Sequence, residues 1–253
     1  MEPQINHQNL ATIILAAGKG TRMKSSLAKV LHPLHGKPLL SYPAAVARKI
    51  GSREIVVVVG HQADLIEATM NDEGLLFILQ REQLGTGQAV LQTRNHFRDF
   101  QGTILILCGD VPLLRASTVK ELIEHHRATD ATVTVLTTIL EDPSGYGRIV
   151  KSAEGSILQI VEARDASDEI KEIREINTGI YCVEASFLFE AVAQIGNRNA
   201  QQEFYLTDII AIAVDNGKRT QTYIATDSSE VMGINTKKEL DKAEEFLEKE
   251  RTL

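Results

Sequence analysis

The chain has 253 residues, which is enough to bury one large α/β core or two small ones. Hydrophobic residues make up 43% of the sequence and charged residues 24%, a composition that excludes a disordered chain. The formal net charge of −7 argues against a nucleic-acid-binding surface, because such surfaces normally carry a basic excess.

The first predicted element is a buried strand over residues 11–15, which are mostly aliphatic and β-branched. It leads into Ala16-Ala17-Gly18-Lys19-Gly20-Thr21-Arg22, where two glycines let the backbone approach a ligand closely. Successive N–H groups in such a loop bind anions, and Lys19, Arg22 and Lys29 add positive charge. The pattern favours a polyphosphate site. A tight basic turn without a ligand is the alternative that these residues leave open.

Two other glycine loops do not fit this segment. A dinucleotide-binding fingerprint needs a third glycine where this chain has Met23, and an acidic residue near the end of the second strand. Residues 55–61 supply no such acid. A P-loop closes on Gly-Lys-Ser/Thr, whereas Gly18-Lys19 opens this loop.

Strands and helices alternate up to residue 138. The predicted strands are 55–59, 75–79, 103–107 and 131–139. The predicted helices are 38–50, starting at Pro38 and ending at Gly51, then 61–70, 88–97 and 117–127, the last with Ser117 as its N-cap. This alternation predicts a parallel sheet with ligands at the carboxyl ends of the strands. The loops at 16–22, 80–86 and 108–110 should therefore meet at one edge.

The second half of the sequence changes character. Its predicted strands are 149–150, 157–161, 173–183 and 220–225, and its predicted helices are 187–195, 204–216 and 236–250. We interpret these strands as a mixed extension of the sheet that covers the open side of the nucleotide site. The last helix carries an apolar stripe of Leu240, Ala243 and Leu247, which predicts docking on the protein's own core.

Asp110 directly follows a buried predicted strand and faces the basic loop. A carboxylate in this place is a natural ligand for a hard cation, and Mg²⁺ is held by one or two carboxylates together with phosphates. An aspartate that only closes a turn is the alternative. Glu162 directly follows the predicted strand 157–161, and Asn177 precedes an apolar run. Polar side chains in such places can bind sugar hydroxyls.

The sequence offers no sign of export or membrane insertion. The first nine residues lack an apolar stretch, and no apolar run approaches the roughly 20 residues of a membrane helix. Cys108 and Cys182 lie in separate apolar runs, which is typical of reduced thiols. We therefore expect a cytoplasmic protein.

Eight segments stand in the order in which they occur in the sugar-nucleotide pyrophosphorylases: LAAGKGTRM, QREQLGTGQA, CGDVPLL, GYGRIV, VEARDA, EINTGIY, EFYLTDII and VMGINT. From residue 11 to about residue 245 the chain resembles the uridylyltransferase domain of the bifunctional bacterial members of that family. The resemblance implies an α/β, Rossmann-like nucleotide-diphospho-sugar transferase fold, with a mixed, mostly parallel central sheet flanked by helices. It also implies transfer of UMP from UTP to N-acetylglucosamine 1-phosphate. The products, UDP-N-acetylglucosamine and pyrophosphate, tie the reaction to cell-wall and lipopolysaccharide precursor synthesis.

The resemblance also implies a role for particular residues. The catalytic residues would be Arg22, Lys29 and Asp110, and Asp110 and Asn235 would hold Mg²⁺. The N-acetylglucosamine moiety would contact Gly147, Glu162 and Asn177. The nucleotide would contact Leu15, Ala16, Ala17, Gly18, Gly20, Lys29, Gln80, Gly85, Thr86 and Gly109. Two positions depart from the family pattern: Cys108 stands where a tyrosine is common, and Ala28 stands where a proline is common.

The predicted organisation is a single domain over residues 1–253, without an internal repeat. Residues 11–110 would form a nucleotide-binding half, 131–235 a sugar-binding half and 236–253 a C-terminal helix. The hexapeptide repeat of a left-handed β-helix is absent from the sequence, so we expect neither acetyltransferase activity nor a β-helix trimer. The expected partners are UTP and a sugar 1-phosphate, with no nucleic acid and no membrane. The alternatives are another nucleotide or sugar phosphate, or an inactive module that only binds a nucleotide sugar.

Overall fold

The computed structural model describes residues 9–70 and 74–252. Residues 1–8, most of the segment on which the absence of a signal peptide is predicted, lie outside this part. The strands are β1 (Leu10–Ala16), β2 (Pro33–Leu34), β3 (Lys37–Pro38), β4 (Glu54–Val59), β5 (Leu75–Leu79), β6 (Thr103–Cys108), β7 (Val133–Ile139), β8 (Arg148–Lys151), β9 (Ile157–Val161), β10 (Glu175–Glu184) and β11 (Thr220–Ile224). The helices are α1 (Ser41–Lys49), α2 (Ala63–Thr69), α3 (Thr86–Leu91), α4 (Ala116–Ala128), α5 (Asp168–Lys171), α6 (Ala185–Val192), α7 (Asp208–Asp215) and α8 (Lys237–Thr252).

The central sheet is mixed and mostly parallel. Its strand order is β11-β7-β10-β6-β1-β4-β5, and β10 runs antiparallel to both β6 and β7. The other neighbours along this order are parallel. The β8–β9 hairpin is attached to β10 through the pair Ile176 and Arg148. The predicted parallel sheet of the first half is confirmed.

Helices cover both faces of this sheet, because successive strand residues point to opposite sides. In β1, Leu10 and Ile14 pack in the hydrophobic cluster that includes residues of α1 and α4. Ala11 and Ile13 pack in the opposite cluster, with residues of α3, α6 and α7. A strand buried on both faces consists of continuous aliphatic residues, as parallel sheets require.

Two predicted helix starts in the first half of the chain are wrong. Pro38 pairs with Pro33 in the small β2–β3 sheet, and α1 begins at Ser41. Helix α4 begins at Ala116, and no side chain caps its N-terminus, so Ser117 is not an N-cap. The predicted end of α1 is confirmed, because Gly51 follows it with φ +79°.

The second half continues the central sheet through β7, β10 and β11. Because β10 lies between β6 and β7, the two halves of the sequence share one sheet. The helix predicted over 204–216 begins only at Asp208. Phe204 instead binds the loop after β5, donating from its N–H to Leu84 O at 2.8 Å and accepting from Gly87 N at 2.8 Å.

The C-terminal helix docks as predicted. Ala243 is buried in a small cluster with Leu34, Leu39 and Ile234, and Leu240 and Leu247 pack against that cluster. None of the helices in the described ranges combines the length and the hydrophobicity of a membrane span.

Candidate active site

A cavity of about 530 Å³ opens at the carboxyl ends of β1, β5 and β6. Its lining includes residues 15–19 of the glycine loop, Gln80 and Thr86 from the loop after β5, and Asp110 after β6. The predicted meeting of these three loops at one edge is confirmed. We call this space the nucleotide-side cavity.

The glycine loop is shaped by close contact with Lys29. Gly20 has φ +59°, and a Cβ on it would lie 2.5 Å from the Cβ of Lys29. A side chain at position 20 would therefore push Lys29 away. By contrast, a Cβ on Gly18 would meet nothing within 4 Å. Gly109 ties the neighbouring loop to this one by donating from its N–H to Leu15 O at 2.9 Å.

Four charged or polar side chains meet beside this loop. Lys29 Nζ forms an ion pair with Asp110 Oδ2 and donates to Asn235 Oδ1 at 3.0 Å. Arg22 Nη2 donates to the same Asn235 oxygen at 2.9 Å. The side chains of Lys29 and Asp110 are 17% and 18% exposed, so the ion pair is largely shielded but open to a ligand. The structure brings together the three residues predicted to be catalytic and both predicted metal ligands.

Asn235 owes its place to the start of α8. The N–H of Ile234 donates to Asp110 O at 2.8 Å, which fixes the chain beside β6. Glu239 Oε2 accepts from the N–H groups of Asn235 at 2.7 Å and Thr236 at 2.8 Å. Thr236 Oγ1 in turn accepts from Glu239 N at 3.2 Å. This reciprocal pair is a capping box, and it holds Asn235 at the helix entrance.

The donor set fits a hard divalent cation. Asp110 Oδ2 and Asn235 Oδ1 already converge on one positive centre, the Lys29 ammonium group. A carboxylate and an amide oxygen are ligands that Mg²⁺ accepts, with phosphates and water completing its shell. Within the described residues, no cluster of three or more His, Cys, Asp or Glu side chains could hold a metal.

Gln80 is 3% exposed and its carboxamide orientation is fixed. Its Nε2 donates to Gly85 O at 3.0 Å and to Gln88 Oε1 at 2.5 Å. Because a backbone carbonyl can only accept, the nitrogen must face Gly85. Both amide protons are then used inside the protein, which leaves Oε1 as the group that can meet a ligand donor.

The loop after β5 is clamped by the segment before α7. Gly85 has φ +119°, and a Cβ on it would lie 2.5 Å from Phe204 O. Thr86 Oγ1 accepts from Leu206 N at 3.0 Å. Glu203, which sequence reasoning missed, lines the nucleotide-side cavity. The second half of the chain therefore builds part of its wall.

The three predicted sugar-binding residues also come together. A Cβ on Gly147 would lie 3.5 Å from Glu162 Oε2 and 3.6 Å from Asn177 Cβ. Asn177 Oδ1 accepts from Gly179 N and from Tyr181 OH, both at 3.0 Å. Glu162 lines a separate cavity of about 330 Å³. None of the three lines the nucleotide-side cavity.

Burial raises the pKa of the Glu162 carboxyl. Thr207 opposes this effect by donating to Glu162 Oε1 at 3.2 Å, while the negative charges of Asp165, Asp208 and Glu203 add to it. Protonation of this carboxyl is therefore easier than for a free glutamate.

Two further residues stand out at the site. Burial raises the pKa of Tyr146, and the nearby charges of Glu239 and Asp110 raise it further. Tyr146 belongs to the GYGRIV segment, but only the folded chain shows that it lies near Asp110. Burial also raises the pKa of the Cys108 thiol to about 12, with Asp110 adding to the effect. Cys108 therefore lines the cavity as a neutral thiol and not as a nucleophile.

A mixed, mostly parallel sheet with a basic glycine loop and a carboxylate at the carboxyl ends of its strands is the arrangement expected of a nucleotidyltransferase. The family model described as nucleotidyl transferase matches residues 11–246, and the chain belongs to that family.

Among its relatives is the bifunctional protein GlmU of Geobacter metallireducens, 52% identical over 239 residues. The alignment covers 94% of this chain and 50% of the relative. GlmU of Geobacter sulfurreducens is 52% identical over 236 residues, covering 93% of this chain and 50% of the relative. GlmU of Desulfotalea psychrophila is 44% identical over 242 residues, covering 96% of this chain and 71% of the relative. The chain thus spans about half the length of the two Geobacter relatives. The resemblance found in the sequence motifs is confirmed.

Proposed function

We propose that this chain transfers UMP from UTP to N-acetylglucosamine 1-phosphate, giving UDP-N-acetylglucosamine and pyrophosphate. The observation that carries this proposal is the meeting of Lys29, Arg22, Asp110 and Asn235 beside the glycine loop. Two cations and two oxygen ligands at one point suit a triphosphate with its metal. The motif resemblance supplies the particular substrates, and the relatives named GlmU support that resemblance.

In the proposed reaction, a phosphate oxygen of the sugar phosphate attacks the α-phosphorus of UTP. A new P–O bond forms while the bond to the β-phosphate breaks, and pyrophosphate leaves. Because the nucleophile is already an anion, the protein has no proton to remove. Its main task is to bring two anions together, so charge neutralisation and positioning dominate.

Arg22 and Lys29 would neutralise the triphosphate and the leaving pyrophosphate. Asp110 and Asn235 would hold Mg²⁺, which supplies Lewis-acid stabilisation of the phosphate charge when bound. The capping box of Thr236 and Glu239 would keep Asn235 in position for that role.

The nucleotide-binding half would comprise residues 11–110. In it, Gln80 Oε1 would accept the N3–H of uracil, because the Nε2 protons are already used. The backbone of the glycine loop and the Gly85–Thr86 turn would enclose the base and phosphates. The nucleotide contacts would be those implied by the resemblance: Leu15, Ala16, Ala17, Gly18, Gly20, Lys29, Gln80, Gly85, Thr86 and Gly109.

The sugar-binding half would comprise residues 131–235. Gly147, Glu162 and Asn177 would contact the acetamido sugar, and their mutual closeness supports this grouping. Because Gly147 has no side chain, this position does not cover the carboxylate of Glu162. We place the reaction in the cytoplasm, where UTP is made available to such enzymes.

The test is pyrophosphate release with a panel of substrates at saturating Mg²⁺. The nucleotides are UTP, CTP, ATP and GTP, and the acceptors are the 1-phosphates of N-acetylglucosamine, glucosamine and glucose. We expect fast release only with UTP and N-acetylglucosamine 1-phosphate, and none after chelation of the metal. Preference for another pair would replace these substrates within the same chemistry. Absence of release with every pair would contradict the proposal.

A further inference from the structure

A second large cavity lies between α1 and the start of α4. Its volume is about 720 Å³, and it shares no lining residue with the nucleotide-side cavity. Pro112 and Leu114, which follow Asp110 closely in the chain, form part of its wall. We call it the basic cavity, for the side chains that line it.

The lining of the basic cavity carries an unbalanced positive charge. No Asp or Glu is among the described residues that line it, although the whole chain has a net charge of −7. Arg115 is already paired, with Glu230 at 2.8 Å and Asp227 at 3.3 Å. The basic side chains in the lining are Lys37, Arg48, Lys49, Arg115 and Lys120.

Three of these cations have no carboxylate of their own. Among the side chains of residues 9–70 and 74–248, no ion pair joins Lys37, Lys49 or Lys120 to an acidic group. Like charges held around one cavity repel one another, and an anion between them would remove that repulsion. The arrangement therefore favours a ligand with more than one negative charge.

The remaining walls suit an organic molecule that carries phosphate. The hydroxyls of Ser41 and Ser117 line the cavity with the cations, and Tyr42, Val46 and Leu114 supply apolar surface. A volume of about 720 Å³ falls in the range of small-molecule sites, about 300–1,000 Å³. A polyanionic macromolecule is disfavoured, because the net charge of −7 would repel it outside this cavity.

We infer that the basic cavity is a second binding site, separate from the nucleotide-side cavity, for a small phosphorylated molecule. Lys49 and Lys120 would bind the phosphate from the two helices that form the cavity. The apolar wall of Tyr42, Val46 and Leu114 would take the organic part. This inference does not depend on the proposed reaction, because neither lysine belongs to the site described above.

The test follows backbone amide resonances during titration with inorganic phosphate and with glucose 6-phosphate, at constant ionic strength. The signals of Ala45 and Ser117 report on the basic cavity, and those of Gly18 and Gly20 report separately on the nucleotide-side cavity. We expect saturable shifts of Ala45 and Ser117 with both probes, and tighter binding of the ester because its organic part contacts the apolar wall. Shifts that rise linearly without saturation, or that are confined to Gly18 and Gly20, would overturn the inference.

Charge-reversal variants complete the test. Lys49→Glu combined with Lys120→Glu should weaken binding at the basic cavity at least about 10-fold, since two charge-assisted contacts are lost. Lys238→Glu combined with Lys242→Glu, on the exposed face of α8, makes the same change in net charge and should leave affinity unaltered. If the first pair perturbs the fold, Lys49→Gln with Lys120→Gln replaces it. Equal weakening by both pairs would also refute a local site.

Discussion

Lys29 and Asn235 are 206 positions apart in the chain, yet Lys29 Nζ donates a 3.0 Å hydrogen bond to Asn235 Oδ1. The same lysine is ion-paired with Asp110. One side chain from the first loop therefore joins residues from the middle and the end of the chain. The proposed phosphate and metal chemistry depends on this junction.

Lys29→Ala and Asp110→Ala should each lower turnover about 10²–10³-fold, because each removes a charge-stabilising group at the phosphates. Initial rates of pyrophosphate release at saturating substrates and Mg²⁺ measure this. Lys24→Ala, which removes an exposed charge from the same loop, is the control and should keep nearly full activity. Normal turnover in either variant would show that the substituted residue takes no part in the reaction.

Gly20→Ala should destabilise the free protein by about 1–2 kcal/mol, because alanine is strained at φ +59°. The collision of the new Cβ with the Cβ of Lys29 should add to the loss. Gly18→Ala provides a matched control in the same loop, since its Cβ would meet nothing within 4 Å. Denaturant unfolding without ligand should separate the two variants. Equal stability would contradict the packing described for Lys29.

Gln80→Ala should narrow the preference for UTP over other nucleotides. In the wild type, Gln80 Oε1 can accept the N3–H of uracil but would face an acceptor at N3 of cytosine. A site discriminates strongly against a ligand that leaves the site's buried polar groups unpaired. The ratio of kcat/KM for UTP to that for CTP measures the effect. An unchanged ratio in the variant would show that another group reads the base.

Glu239→Ala should raise the Mg²⁺ concentration needed for half-maximal rate, because Asn235 loses the contact that holds its N–H. Loss of the capping box should also cost about 1 kcal/mol of stability. Glu245→Ala, on the exposed face of the same helix, is the control. A Mg²⁺ dependence that matches the wild type would limit Glu239 to a structural role.

The Cys108 thiol should resist alkylation at pH 8, because its pKa is raised to about 12 and the thiolate is the reactive form. The raised pKa also makes stability depend on pH. Between about pH 9 and pH 12 the folded state keeps the thiol proton and the unfolded state loses it, so the free energy of unfolding falls as pH rises through this range. Iodoacetamide labelling of a Cys182→Ala variant, native and in urea, checks this. Equal labelling rates in both states would contradict the raised pKa of the Cys108 thiol.

Much of the first half of the fold can be predicted from the sequence, because local residue patterns determine it. The aliphatic runs of β1 and β4 predict strands buried on both faces, and their loops meet as parallel geometry requires. The first residue of a helix depends less on the local sequence. Pro38 looks like the first residue of a helix, yet it pairs with Pro33 across a tight turn.

Other features depend on contacts between distant parts of the chain. The insertion of β10 between β6 and β7 reverses the direction of one strand, and no local pattern reports it. The clamp of Phe204 on Gly85 similarly requires both halves to be folded. The position of Asn235 is easier to predict from the sequence, because Thr236 and Glu239 match the Thr-x-x-Glu pattern of a capping box.

The most direct test of the central proposal follows the oxygens of the acceptor phosphate. The acceptor is N-acetylglucosamine 1-phosphate labelled with ¹⁸O at the non-bridging oxygens of its phosphate. It is incubated with unlabelled UTP, Mg²⁺ and the protein, and the masses of the products are measured by mass spectrometry. Attack of the sugar phosphate on the α-phosphorus predicts UDP-N-acetylglucosamine that retains all of the label, and pyrophosphate that carries none. Label in the pyrophosphate, or no UDP-N-acetylglucosamine at all, would contradict the account.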